Sequence, residues 1–151
     1  MSKKYVYLAG PIEGCNDDEI NEWRDYAKRG FADNIIGINP YRAESISDSP
    51  ESKKRVVMKN YMDVTSCDLI LAYLPKQMND RRPSYGTVCE IAWGYSLQKP
   101  LVIVSDDEDV QKHPLLYISG AHFADLYDGI DYINVLLGEY DASDNLIEMP
   151  C

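Results

Sequence analysis

Four short apolar runs set the terms for this chain: Tyr5 to Ala9, Asn34 to Ile38, Leu69 to Leu74 and Leu101 to Val104. Each is bounded by turn-formers, such as Gly10-Pro11 after the first and Asn39-Pro40 after the second, and reads as a strand. Segments with helical character separate them, and a fifth short strand is expected within 123–127. Strands alternating with helices at this spacing imply a mostly parallel sheet covered by helices on both faces, a doubly wound α/β fold of five strands in three layers. In such a sheet ligands bind outside the carboxyl ends of the strands, where strand order reverses. Gly10-Pro11, Asn39-Pro40-Tyr41-Arg42 and the segment from Leu74 to Thr87 all fall on that edge.

The helices have recognisable starts. Asn16-Asp17-Asp18-Glu19 offers a capping side chain and an acidic first turn, followed by Ile20, Trp23, Tyr26 and Ala27, so the first helix runs to about Gly30. The second is expected from about Glu51 or Lys53 to Ser66, with Val56, Tyr61 and Val64 facing inward. The third spans about Thr87 to Gln98 and the last Gly129 to Gly138, with a short helix or turn around His113-Pro114. Residues 41–52 and 76–82 read as loops, and a long loop inside a compact domain is often a lid or binding loop.

A length of 151 residues fits one domain, with an acidic tail from about residue 139 in which Leu146, Ile147 and Met149 can dock on a neighbour. No apolar run approaches the roughly 20 residues of a membrane span, and the first residues lead straight into a strand, so a soluble cytoplasmic protein with no membrane partner is expected. The four cysteines are scattered without a C-x-x-C pair; they suggest neither zinc site nor disulfides, but reduced thiols, two of them buried. A net charge of −10 opposes a polymeric nucleic-acid partner while leaving room for a local pocket for one phosphate. No Walker loop, G-x-G-x-x-G or metal-ligand cluster occurs, so neither cofactor nor metal is expected.

Chemistry concentrates in Pro83-Ser84-Tyr85-Gly86-Thr87-Val88-Cys89-Glu90. Gly86 permits close backbone approach or a positive φ, and Ser84, Tyr85 and Thr87 place hydroxyls around the amides of a helix start, a natural seat for an anion or a sugar hydroxyl. Glu90 lies one turn inside, where the helix dipole favours its ionised form, as a nucleophile requires. The spacing Thr87-x-x-Glu90 also reads as a capping box. Spacing alone leaves both readings open.

The ordered set Tyr7-Leu8-Ala9-Gly10-Pro11-Ile12, Trp23-Arg24, Asn39-Pro40-Tyr41-Arg42, Cys67-Asp68, Gly86-Thr87-x-x-Glu90 and Lys99-Pro100 resembles the nucleoside 2-deoxyribosyltransferase family, to about Leu137. The resemblance implies a flavodoxin-like fold, a homodimer or higher homo-oligomer with shared active sites, and a glutamate that forms a covalent deoxyribosyl ester. It matches Glu90 to the nucleophile and Tyr7 to the tyrosine that orients it. Gly10, Pro11, Ile12, Arg42, Ser84, Gly86 and Thr87 are the candidate substrate-binding residues. Asn60 stands where many members carry an aspartate that binds or protonates the base; an amide can hydrogen-bond but cannot act as a general acid. Asp63, one turn later, is a substitute ranked below it, expected deeper toward the far end of the sheet.

Ser84 occupies the place of an aspartate found six residues before the glutamate in transferases acting on free nucleosides. Related nucleotide hydrolases have serine there, which implies acceptance of a 5'-phosphate. Against this, Glu13 stands where those hydrolases have an arginine, and no second phosphate-binding serine is found near Leu115. Arg81 and Arg82 are further phosphate candidates or members of a solvated charged loop. Asp68 is expected to cap at the amino end of its strand, and His113 to be structural. Among the twelve tyrosines, Tyr7, Tyr41 and Tyr85 lie nearest the site. The expected function is cleavage of the N-glycosidic bond of a 2'-deoxynucleoside or its 5'-monophosphate, with transfer of the sugar to another base. Hydrolysis of the monophosphate is the alternative, and a non-catalytic nucleotide-binding or sensing module is the alternative of another class.

Overall fold

A computed structural model describes residues 2–41 and 49–139. Arg42, Cys151 and the tail residues Leu146, Ile147 and Met149 lie outside the described residues. Five strands, β1 (Lys4–Ala9), β2 (Ile35–Ile38), β3 (Leu69–Tyr73), β4 (Leu101–Val104) and β5 (Ala121–Phe123), form one sheet in the order β2-β1-β3-β4-β5. All four pairings are parallel, with Tyr7 opposite Ile38 on one side and Ile70 on the other. The doubly wound α/β architecture is therefore present, and its strand order reverses at β1.

Among the described residues six helices lie between the strands, α1 (Asp17–Gly30), α2 (Pro50–Ser66), α3 (Lys76–Arg81), α4 (Tyr85–Ser96), α5 (Glu108–Lys112) and α6 (Pro114–Tyr117), and α7 (Leu126–Leu137) follows the last strand. The sheet separates two apolar cores because successive strand residues point to opposite faces. Val6, Leu8, Leu69, Leu71, Val102 and Val104 meet Trp23, Ala27, Ile130 and Ile133 of α1 and α7. Tyr7, Ala9, Ile70, Ala72 and Ile103 meet Val64 of α2, Ile91 of α4 and Val110 of α5.

Local chemistry explains where the elements start. Asn16 and Glu19 form a reciprocal capping box at α1. Ser49 accepts from the Ser52 amide ahead of Pro50, which suits the first helical position. Asp125 accepts from the Asp128 amide, so α7 begins at Leu126, ahead of the expected Gly129. Asp68 Oδ2 accepts from the Tyr5 amide at 2.8 Å, tying β3 to β1 at the amino edge.

Several expectations are corrected. The charged stretch 76–82 folds as α3, supported by the Lys76 amide on Asp106 Oδ1 and by a Lys76–Asp80 pair one turn apart. Strand five ends at Phe123, where it was expected to begin. Tyr61 stays 40% exposed, its ring edge-on to Trp93, and Tyr26 points outward while Arg24 takes the inward position beside it. Among the described cysteines only Cys67 is buried; Cys15 is half-buried and Cys89 exposed. No helix of the described residues is long and apolar enough to cross a membrane.

Asn34 closes the amino edge. Its Nδ2 donates to the Leu137 carbonyl at 2.8 Å and reaches the Ser2 carbonyl at 3.5 Å, while its Oδ1 accepts from the Glu139 amide at 2.9 Å. Asn34→Ala removes these part-buried bonds, and a loss of about 1–2 kcal/mol in urea unfolding is expected, without change in the sheet signal of the folded protein by circular dichroism.

Candidate active site

Because β2 and β3 flank β1, the connections after β1 and β3 leave in opposite directions, and it is at the carboxyl edge of such a switch point that doubly wound sheets form a crevice. One wall is Gly10-Pro11-Ile12; the other is the turn Pro83-Ser84 and the start of α4. Between them lie Tyr7, fully buried, and Glu90, 9% exposed. Glu90 is there because the inward stripe of α4 is Thr87, Glu90, Ile91 and Gly94, at offsets of zero, three, four and seven. A carboxylate thus takes a position that helical packing otherwise reserves for apolar side chains.

The capping-box reading of Thr87 and Glu90 does not survive. Helix α4 starts two residues earlier than expected, with Ser84 as N-cap, and Ser84 makes no side-chain cap bond. Its Oγ lies 2.6 Å from Thr87 Oγ1 instead. The first-turn amides of α4 are left without that side-chain partner, open to an anionic group. Glu90 in turn sits beyond the first turn, where the dipole fades. Burial dominates its titration and pushes its pKa from the ordinary 4.5 up to about 7, against the opposing pull of the Tyr7 hydroxyl and the Arg24 charge.

Tyr7 is shifted upward, first by burial and then by the Glu90 charge, so it keeps its proton at any working pH. Its hydroxyl and Glu90 face each other within electrostatic reach, yet neither Tyr7 Oη nor Glu90 Oε2 has a hydrogen bond of standard geometry. Asp63, in the last turn of α2, lies within electrostatic reach of Tyr7 and pairs with Lys59. Asn60 Oδ1 is buried with no partner among the described residues.

Sequence reasoning missed Arg24 as a site residue. It is fully buried, stacked at 4.5 Å on the ring of Trp23, and electrostatically coupled to Glu90 and Tyr7. The signal was present: Ile20, Trp23, Arg24 and Ala27 form the inward stripe of α1, and an arginine in such a stripe is an anomaly.

The remaining candidates divide. Pro11 is buried and Ile12 half-buried on the crevice wall. Tyr41 donates its hydroxyl to Asp17 at 2.7 Å, and Tyr85 is 75% exposed. Arg82 pairs with Glu13 at 2.8 Å and Arg81 pairs with Glu19, so both arginines tie α3 and the turn after it to the β1–α1 segment. His113 accepts from the Leu115 amide at the start of α6, a local cap. No cluster able to hold a metal occurs among the described residues.

The fold is that of a doubly wound α/β protein with Tyr7 and Glu90 gathered near its topological switch point. The chain belongs to the nucleoside 2-deoxyribosyltransferase family, whose profile matches residues 6–138. It is similar in structure to a 2-deoxyribosyltransferase of Bacillus psychrosaccharolyticus, with a TM-score of 0.63 and 19% identity over 92% of this chain and 93% of that one. A conserved protein of Enterococcus faecalis V583 is similar with a TM-score of 0.69 and 17% identity, over 90% of this chain and 100% of that one. The CMP N-glycosidase of Clostridium botulinum gives a TM-score of 0.56 and 15% identity, over 89% and 100%. No curated protein matches the chain in sequence. At the level of the family this is a nucleoside-modifying enzyme of the deoxyribosyltransferase or N-glycosidase kind.

The two glycines of the crevice have different reasons to be glycine. A Cβ on Gly10 would stand 2.5 Å from Trp23 Cζ2, whereas one on Gly86 meets nothing within 4 Å, and Gly86 has no positive φ. Gly10→Ala is expected to lower stability by about 1–3 kcal/mol, and Gly86→Ala to be neutral or to raise it by up to about 1 kcal/mol, by urea titration. A second test concerns Glu90 itself. Folded Glu90 keeps its proton to higher pH than the unfolded chain, so between pH 4.5 and about 7 the native state binds more protons and this group's contribution to stability falls as pH rises. Relative to wild type, Glu90→Gln should therefore be more stable at pH 8 than at pH 4 by up to about 3 kcal/mol, measured by urea unfolding at both pH values.

Proposed function

We propose that this protein cleaves the N-glycosidic bond of a 2'-deoxynucleoside or its 5'-monophosphate and transfers the sugar to another base. The observation that carries the reading is the Glu90 carboxylate, buried beside Tyr7 in the switch-point crevice with Oε2 unpartnered. A carboxylate withheld from water and from strong hydrogen bonds is a competent nucleophile once ionised. In the first step its oxygen bonds to the anomeric carbon as the carbon–nitrogen bond breaks, and the base leaves with the bonding electrons. In the second, a nitrogen of the incoming base attacks the same carbon from the opposite face, the ester opens, and Glu90 is regenerated with net retention. Tyr7, kept protonated by burial, faces the carboxylate with a hydroxyl able to donate to it and so to orient it during the reaction. Asn60 offers an amide to the base but no acidic proton.

Hydrolysis of a 5'-monophosphate, with water as the second nucleophile, is favoured by one observation. Ser84 leaves the first-turn amides of α4 without a side-chain cap at a neutral, open turn suited to a phosphate. A binding module without turnover is the reading that Asn60 favours, since it lacks the acid to assist a leaving base. The partner in every case is a small nucleoside or nucleotide, in a homo-oligomer, with no cofactor.

Deoxynucleosides and their monophosphates, incubated with and without a free acceptor base and followed by chromatography, separate the three. Exchange that requires the acceptor supports transfer, base release without it supports hydrolysis, and binding without either supports the module. Glu90→Ala should abolish turnover in a folded protein; near-normal activity in that variant would sink the nucleophile assignment. For the active protein, kcat/KM should rise with pH through about 7, as Glu90 ionises.

A further inference from the structure

Arg24 is the one charged side chain with no exposure at all among the described residues. Each of its three guanidinium nitrogens donates to a main-chain carbonyl: Nε to Leu8 at 3.1 Å, Nη2 to Gly10 at 3.1 Å and Nη1 to Ile20 at 2.6 Å. No carboxylate of the described residues forms an ion pair with it. Burying a guanidinium against neutral carbonyls and the Trp23 ring, with no carboxylate in an ion pair, is costly, and a neutral donor could satisfy any one of the carbonyls more cheaply. The charge therefore calls for a use beyond pinning the backbone, and Glu90 lies within its electrostatic reach at the end of the same strand.

We infer that Arg24 is a positioning residue for the chemistry at Glu90: its fork locks the Leu8–Gly10 end of β1, just past Tyr7, and its fixed charge supports the ionised Glu90 carboxylate against burial. The inference rests on the reading of Glu90 as the reacting group, and on nothing about the base or the acceptor. Arginine suits the task because its fork reaches several carbonyls at once, which the single ammonium of a lysine cannot do. Burial pulls Arg24 down only to about 10, so it remains a cation throughout the range in which Glu90 titrates. The groups facing Glu90 are Tyr7 from β1 and Arg24 from α1. Behind them, Asp63 of α2, paired with Lys59, faces Tyr7, and Cys15 of the β1–α1 connection faces Arg24.

Carbon NMR of glutamate-labelled full-length protein reads the titration of Glu90, with its resonance identified by loss in Glu90→Gln. Arg24→Gln should raise that midpoint by at least about half a pH unit and move the acidic limb of kcat/KM with it. Arg24→Lys keeps the charge but loses the fork. Its midpoint should stay near that of wild type while kcat falls at least about tenfold and KM changes less than about threefold. A merely structural arginine would lower the unfolding midpoint of both variants and leave the Glu90 titration in place, and that result overturns the inference. If Arg24→Gln does not fold, Arg24→Lys decides: an unchanged kcat overturns it. The NMR titration needs no turnover, so the two readings fail separately. An inactive protein with an Arg24-dependent Glu90 keeps this inference and sinks the enzymatic one, and an active protein with an Arg24-independent Glu90 does the reverse.

Discussion

A carboxylate withdrawn from water resists ionisation, and the site of this protein is built around that conflict. Glu90 is held against the sheet by the packing of α4, with Ile91 and Gly94 committed to the core on the same stripe. Gly94 lets the helix sit close, since a Cβ there would stand 2.4 Å from Ile70 Cδ1. The neighbours of the carboxylate must therefore be chosen for what they do to its charge. Tyr7 supplies a hydroxyl that burial prevents from ionising, and Arg24 supplies a cation fixed by three carbonyls.

Two helices thus make the same unusual choice. Each places one charged residue on an otherwise uncharged inward stripe, Arg24 on α1 and Glu90 on α4, and the two helices lie on opposite faces of the sheet. Their charges can interact only where the sheet ends, at the carboxyl terminus of β1. The strand order reverses at that strand, so the fold leaves an opening there in any case. Arrangement of strands and arrangement of charges point to one location for physically separate reasons.

The architecture was legible because buried parallel strands are written as apolar runs with breakers between them, and the runs from Tyr5, Leu69 and Leu101 each became a strand. Element starts were harder. Thr87-x-x-Glu90 has the spacing of a capping box, but the helix begins at Tyr85, with Ser84 already standing outside it as the N-cap residue. Spacing cannot say which of two hydroxyl residues lies outside the helix. For the site, Glu90 and Tyr7 were legible through an ordered set of short motifs, whereas Arg24 was passed over because an arginine on a helix reads as surface. Only its three-carbonyl environment, assembled from β1 and α1, shows otherwise. The elevated titration of Glu90 is likewise a property of enclosure that no local pattern encodes.

Asn34 has a consequence of a different kind. One side chain spans from the Ser2 carbonyl to the Leu137 carbonyl and the Glu139 amide, so residues that are 137 positions apart in the sequence meet at the amino edge of the sheet. The crevice lies at the opposite, carboxyl edge. The region where the chain enters the domain and the region where α7 leaves it are thus gathered on the side remote from the chemistry. Peptide tags or fused domains attached there would be tethered at a single pole of the molecule, and a linker joining residue 139 back to residue 2 would have little distance to cover.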